Sequence, residues 1–76
     1  MEILLEKIKE LPDAKHPKNI DDGHIVKGSL LELPKVGNNF WVGHTWRTST
    51  VEEIIDGHTF KTMNSIYRWK AINQPF

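Results

Sequence analysis

Leu4, Ile8 and Leu11 stand at i, i+4 and i+7, with Leu5 beside them and Glu2, Glu6, Lys7, Lys9 and Glu10 on the other side. That spacing predicts an amphipathic α-helix over residues 1–11, about three turns long and stopped by Pro12. A helix so short is marginal alone in water, so its stripe must dock on its own domain or on a second copy of the chain. Residues 12–23 read as a linker, with two prolines, a closing Asp-Asp-Gly and a single large apolar residue, Ile20. From residue 24 onward the pattern changes to short strands: 24–33, interrupted by Gly28, then a turn over 34–39, then 40–46 with Gly43 at a bulge position.

The last third is specified best. Residues 50–55, Asp56-Gly57 and residues 58–63 predict a hairpin around the strongest two-residue turn signal. Pairing Ile55 with His58 places Glu53 opposite Phe60 and Glu52 opposite Lys61. Asn64-Ser65 predicts a second tight turn, pairing Met63 with Ile66, Thr62 with Tyr67 and Phe60 with Trp69. Period-2 alternation then gathers Val51, Ile55, Phe60, Tyr67, Trp69 and Ala71 on a core face. The other face holds Glu52, Lys61, Arg68 and Lys70, with Ile54, Met63 and Ile66 among them; these three call for partial cover, and the N-terminal helix is the natural candidate. Glu53 points into the apolar face unless a bulge rotates it out. Five short strands predict a mainly β domain over residues 24–76: a small antiparallel SH3-like barrel, or a strongly bent sheet, carrying the N-terminal helix.

Composition narrows the class. The chain has 76 residues and no Cys, with 10 Lys and Arg against 10 Asp and Glu. One small domain without disulfides or a Cys-based zinc site follows. Such a domain buries only about 60% of its unfolded surface, which makes a homo-oligomer an expectation. Residues 1–38 carry 6 basic and 7 acidic groups, residues 39–76 carry 4 and 3. Duplex nucleic acid is therefore an unlikely partner, because phosphate neutralisation needs a basic surface. No apolar run approaches the roughly 20 residues of a membrane span. Acids stand near the start, where an export signal carries basic charge, so a cytoplasmic location is expected.

Catalysis finds little support. There is no Cys nucleophile, no Gly-x-Ser-x-Gly and no phosphate-binding Gly-x-x-x-x-Gly-Lys-Ser/Thr. Histidines 16, 24, 44 and 58 lack zinc-ligand spacing, and a metal site would need His24, His44 and His58 to converge. Otherwise they are strand or turn residues. Glu52 and Glu53 are strand neighbours pointing to opposite faces, a poor acid–base pair. A non-enzymatic protein without cofactor or metal is expected.

Binding is better supported. Residues 40–50 hold two Trp, a His, an Arg and four hydroxyls. Alternation puts Phe40, Val42, His44 and Trp46 on one face and Trp41, Thr45 and Arg47 on the other. Trp41 or Trp46 can stack on a base while Arg47, Thr48 and Ser49 hold phosphates, with His44 and Arg68 as further candidates. The structural alternative puts Trp46 and Trp69 in the core and Trp41 under the helix or at a subunit contact. Thr45 to Thr50 are then ordinary strand residues, and Arg68 and Lys70 solvated ones.

The run Trp46-Arg47-Thr48-Ser49-Thr50-Val51, followed by Phe60-Lys61-Thr62-Met63-Asn64-Ser65-Ile66-Tyr67-Arg68-Trp69, resembles a pattern in short phage and prophage proteins. There a Thr-Ser-x-Val strand precedes a Phe-x-Thr-x-Asn-Ser-x-Tyr hairpin. The similarity covers roughly residues 28–72 and nothing of the first segment. It implies a phage-type context in the host cytoplasm, where many small non-enzymatic proteins counter host defence. The leading expectation is sequestration of a nucleotide-like signal. The alternative is a module that inhibits a host protein by direct binding through its aromatic face or sheet edge. Single-stranded nucleic-acid binding ranks third.

Overall fold

The computed structural model describes residues 1–12 and 22–74. These form six strands: β1 Glu2–Glu10, β2 Ile25–Ser29, β3 Asn39–Val42, β4 Trp46–Ile54, β5 Thr59–Thr62 and β6 Ser65–Ala71. All pairings are antiparallel, in the order β2-β1-β6-β5-β4-β3. The two outer strands, β2 and β3, are consecutive in the chain. They meet at the Leu30–Val42 bridge, beside which the Gly43 N–H donates to the Ser29 carbonyl at 2.8 Å. The strands thus follow chain order around a nearly closed up-and-down barrel.

The expected N-terminal helix is a strand, and it supplies the sixth strand where five were counted. Ile3, Leu5 and Lys7 alternate, and all three side chains are buried. Over ten residues this period-2 pattern competes with the helical one, and the charge on Lys7 disguises it. Pairing decides the contest. β1 lies along β6 from Ile3–Ala71 to Lys7–Tyr67, bonding an edge that a helix would leave open. A bulge between Lys7 and Lys9 leaves Ile8 exposed. β1 therefore belongs inside the domain expected over residues 24–76, and no helix lies over the outer face of β4–β6 among the described residues. Of the expected linker, residues 13–21 lie outside the described residues, and Gly23, at φ 84°, leads into β2.

The expected strand 40–46 is also corrected. It is β3, a turn over 43–45 and the first residue of β4, with Gly43 at φ 63° in the turn. Only glycine adopts that backbone without strain.

The two hairpins form with shifted turns. Between β4 and β5 the partners are Ile54–Phe60, Glu53–Lys61 and Val51–Thr62, with a bulge between Val51 and Glu53. That bulge leaves Glu53 exposed. The Ile55 N–H donates to the Thr59 carbonyl at 2.9 Å, so the loop contains His58 as well as Asp56 and Gly57. Gly57 lacks the positive φ of a two-residue hairpin turn. Instead the Asp56 carboxylate accepts the His58 N–H at 2.8 Å. Between β5 and β6, the Thr62 hydroxyl accepts the Ser65 N–H at 3.1 Å and moves the turn to Met63-Asn64. Phe60 consequently faces Tyr67, not Trp69. This displacement preserves the faces, so Val51, Phe60, Tyr67 and Trp69 are core as expected, while Ile55 is exposed and Ala71 half-buried.

Phe40 closes the core from β3, its ring 5.0 Å from Phe60, which in turn stacks on Tyr67 at 5.7 Å.

Candidate functional site

β3 and β4 place Trp41 and Arg47 as cross-strand partners on the outer surface. Trp41 is 37% exposed, Arg47 is exposed, and the guanidinium carbon lies 5.8 Å from the indole centroid. An exposed cation–π pair of this kind contributes about 0.5–1 kcal/mol, enough to give both side chains a preferred arrangement. Trp46 points the other way. It is half-buried against the core with its ring edge-on to Tyr67 at 6.1 Å.

Thr48 and Ser49 do not extend the pair as expected. Thr48 is 2% exposed; its hydroxyl accepts the Phe40 N–H at 3.1 Å and donates to the Ser49 carbonyl at 2.7 Å. A buried hydroxyl bonded on both sides holds the bent strand, not a phosphate. Ser49 is half-buried, and His44 is exposed in the turn over 43–45, off the strand face assigned to it. Arg68 stands on β6, separated from β4 by β5, where its Nε donates to the Glu6 carboxylate at 2.6 Å. The seven expected binding residues therefore divide. Trp41 and Arg47 come together outside, Trp46 and Thr48 turn inward, and His44, Ser49 and Arg68 stand apart from the pair.

The connection preceding β3 adds exposed apolar side chains, Leu31, Leu33 and Val36. Leu31 and Leu33 were expected in a strand over 24–33, but β2 ends at Ser29 and both lie in the connection; Val36 falls in the expected turn over 34–39.

A second place was not expected from sequence. An open hollow of about 490 Å³ is lined by loop residues 56–59, by Arg68, Trp69 and Lys70 of β6, and by Gln74. His58 is fixed there from both sides. The Trp69 N–H donates to the His58 carbonyl at 2.8 Å, and His58 Nδ1 lies 3.0 Å from the Trp69 carbonyl oxygen. A carbonyl only accepts, so Nδ1 carries the proton. The His58 N–H holds the Asp56 carboxyl below its usual range, countered in part by burial. The cross-strand placement of Thr59 beside Arg68 builds this site, and it was hidden by the one-residue error in the expected loop.

Among the described residues, no three His, Asp or Glu side chains are grouped to hold a metal ion. No helix there is long and apolar enough to cross a membrane. No family model, curated protein or solved structure matches the chain.

Proposed function

We propose that the chain is a small non-enzymatic binding protein of phage type that inhibits a host protein by docking through the outer face of β3 and β4. One observation carries this reading: Trp41 and Arg47 are paired on the surface. Trp and Arg are the residue types most often at the energetic centre of protein interfaces. Leu31, Leu33 and Val36 in the connection before β3 are exposed apolar side chains as well, and their share in the docking face is part of the proposal. The matching partner surface presents an apolar patch beside a carboxylate that complements Arg47.

Nucleotide capture is the second reading. An indole with a guanidinium beside it is also a platform for a base and a phosphate. It ranks lower than the sequence alone suggested, because Thr48 faces inward and the pair offers one open wall, whereas small-molecule sites enclose most of the ligand.

The two readings separate with two variants, Trp41→Ala and Arg47→Ala. A host protein retained by the wild type is purified and its binding measured directly. Loss of about 2 kcal/mol or more in each variant, roughly 30-fold in Kd, supports docking. Equal binding by both variants defeats it, as does a solution mass showing a homo-oligomer that dissociates in Trp41→Ala. A melting shift with cyclic or linear nucleotides, abolished by the same variants, moves the assignment to the second reading.

A further inference from the structure

The structure assigns Asp56-Gly57, in the loop between β4 and β5, as a self-modification site: the folded chain converts this aspartyl link to isoaspartyl, while Asp22-Gly23 is protected. The inference does not involve the Trp41–Arg47 pair. In the reaction the main-chain nitrogen of the following residue gives up its proton and attacks the Asp Cγ. The carboxyl hydroxyl departs with that proton as water, and a succinimide ring closes. Water then reopens the ring at either carbonyl. Opening at the former main-chain carbonyl leaves the chain running through Cγ, one methylene longer, with a free α-carboxylate. One water is lost and one regained, so no oxidant, reductant or other co-reactant is needed. Glycine favours the step because no Cβ crowds the attacking nitrogen.

The chain contains the same tripeptide twice, Asp22-Gly23-His24 and Asp56-Gly57-His58, and both copies are exposed. Neither residue type nor exposure therefore separates the two sites; their hydrogen bonds do. The Gly23 N–H donates to the Lys7 carbonyl at 2.6 Å, which ties the nucleophile to β1. The Asp22 carboxylate is occupied as well, accepting the Glu10 N–H at 3.1 Å with Lys7 Nζ 3.9 Å away. Attack there first requires this join to open. The Gly57 N–H, in contrast, has no hydrogen-bond partner among the described residues. The Asp56 carboxylate accepts the His58 N–H at 2.8 Å, an Asx turn that folds the side chain back across the Gly57 peptide unit. The same bond holds the Asp56 carboxyl below its usual range, which lowers the share of the neutral, reactive acid. It also keeps carboxyl and nitrogen together, and mild acid restores the neutral form. Gly57 has no positive φ, and a Cβ there would meet nothing within 4 Å, so alanine fits the loop and obstructs only the attack.

The test is an ageing experiment on the full chain at a pH of about 5, where more of an aspartate is neutral than at pH 7. Peptide mapping by chromatography and mass spectrometry reads isoaspartate at each residue, since the product keeps its mass and the succinimide is one water lighter. Residue 56 should convert about tenfold faster than residue 22, a difference of about 1.4 kcal/mol in barrier. In the chain unfolded by urea the two rates should converge, because the tripeptides are the same. Gly57→Ala, checked for an unchanged melting transition, should slow residue 56 about tenfold and leave residue 22 as it was. The conversion should also move the Trp69 amide resonance, because the Trp69 N–H donates to the His58 carbonyl at 2.8 Å and the added methylene lies two residues away. The proposal is overturned if residue 22 converts as fast as residue 56 in the folded chain, or if the difference persists in urea. It is overturned equally if Gly57→Ala ages like the wild type, or if no isoaspartate forms at residue 56.

Discussion

Lys7 carries an ammonium to the rim of an apolar barrel. Its side chain is 1% exposed, and Nζ lies 2.9 Å from the Glu10 carboxylate and 3.9 Å from Asp22. The four-carbon stem fills core space between β2 and β6, while the charge is balanced by groups that still reach water. Packing and pairing make separate contributions, and substitution can divide them. Lys7→Ala removes the stem as well as the charge and should cost about 3 kcal/mol, in the range of buried large-to-small changes. Lys7→Met keeps the volume and should fall within about 1 kcal/mol of the wild type, since Glu10 and Asp22 both reach water and no charge is left buried without a partner. Denaturant melts of the two variants decide it. A Met variant as damaged as the Ala variant would mean that the ion pair, not the stem, holds this corner. Residue type misleads here in both directions: a charge at position 7 and a hydroxyl at Thr48 read as outward, yet both are buried. Trp41, Leu33 and Val36, apolar by type, face out.

At the scale of elements, β2 and β3 come together because residue 28 is glycine. A methyl group there would stand 2.7 Å from Val42 Cγ1 and 3.4 Å from the Gly43 nitrogen. The valine side chain has little rotational freedom, so the strands must separate to make room. Gly28→Ala should therefore cost about 1–3 kcal/mol through overpacking. Most of that cost should vanish in a Val42→Ala background, a coupling that a double-mutant cycle of melting curves measures. Additive effects would place the strain elsewhere. Gly28 was legible only as an interruption of a strand, because sequence shows that a side chain is missing but not what approaches from across the barrel. The β4–β6 faces were legible for a different reason: alternation survives an even displacement of register, so a turn misplaced by one residue still left Phe60, Tyr67 and Trp69 inside. The β1 strand was not legible. Ten residues satisfy both periods, and the unpaired edge of β6 that selects between them is a property of the assembled sheet.

For the whole molecule, those strand pairings predict where the barrel opens. β1 is paired on both sides and joins residues near the two ends of the chain, Ile3 with Ala71 and Lys7 with Tyr67. Closing so long a loop is slow, and the pairing is rewarded only when β6 is already in place on β5. The β2–β3 seam, by contrast, depends on the Leu30–Val42 bridge and the Gly43 N–H bond to Ser29. Opening there exposes Val42 but leaves the ladders β1–β6, β6–β5 and β5–β4 intact, so it requires less than global unfolding. Native-state hydrogen exchange should show the Gly43 amide exchanging through a local opening, well before the β6 amides bonded to β1 and β5. Gly28→Ala should speed Gly43 exchange more than it lowers the protection of β6. If Gly43 instead shares the slowest rate with Tyr67 and Trp69, the barrel is a single cooperative unit and the seam is no weaker than its other joins. That outcome would also bear on recognition. Trp41 stands on β3 beside this seam, and a separable seam lets the outer β3 surface move against β2 when a partner docks, whereas a cooperative barrel presents Trp41 and Arg47 as a rigid, preformed pair.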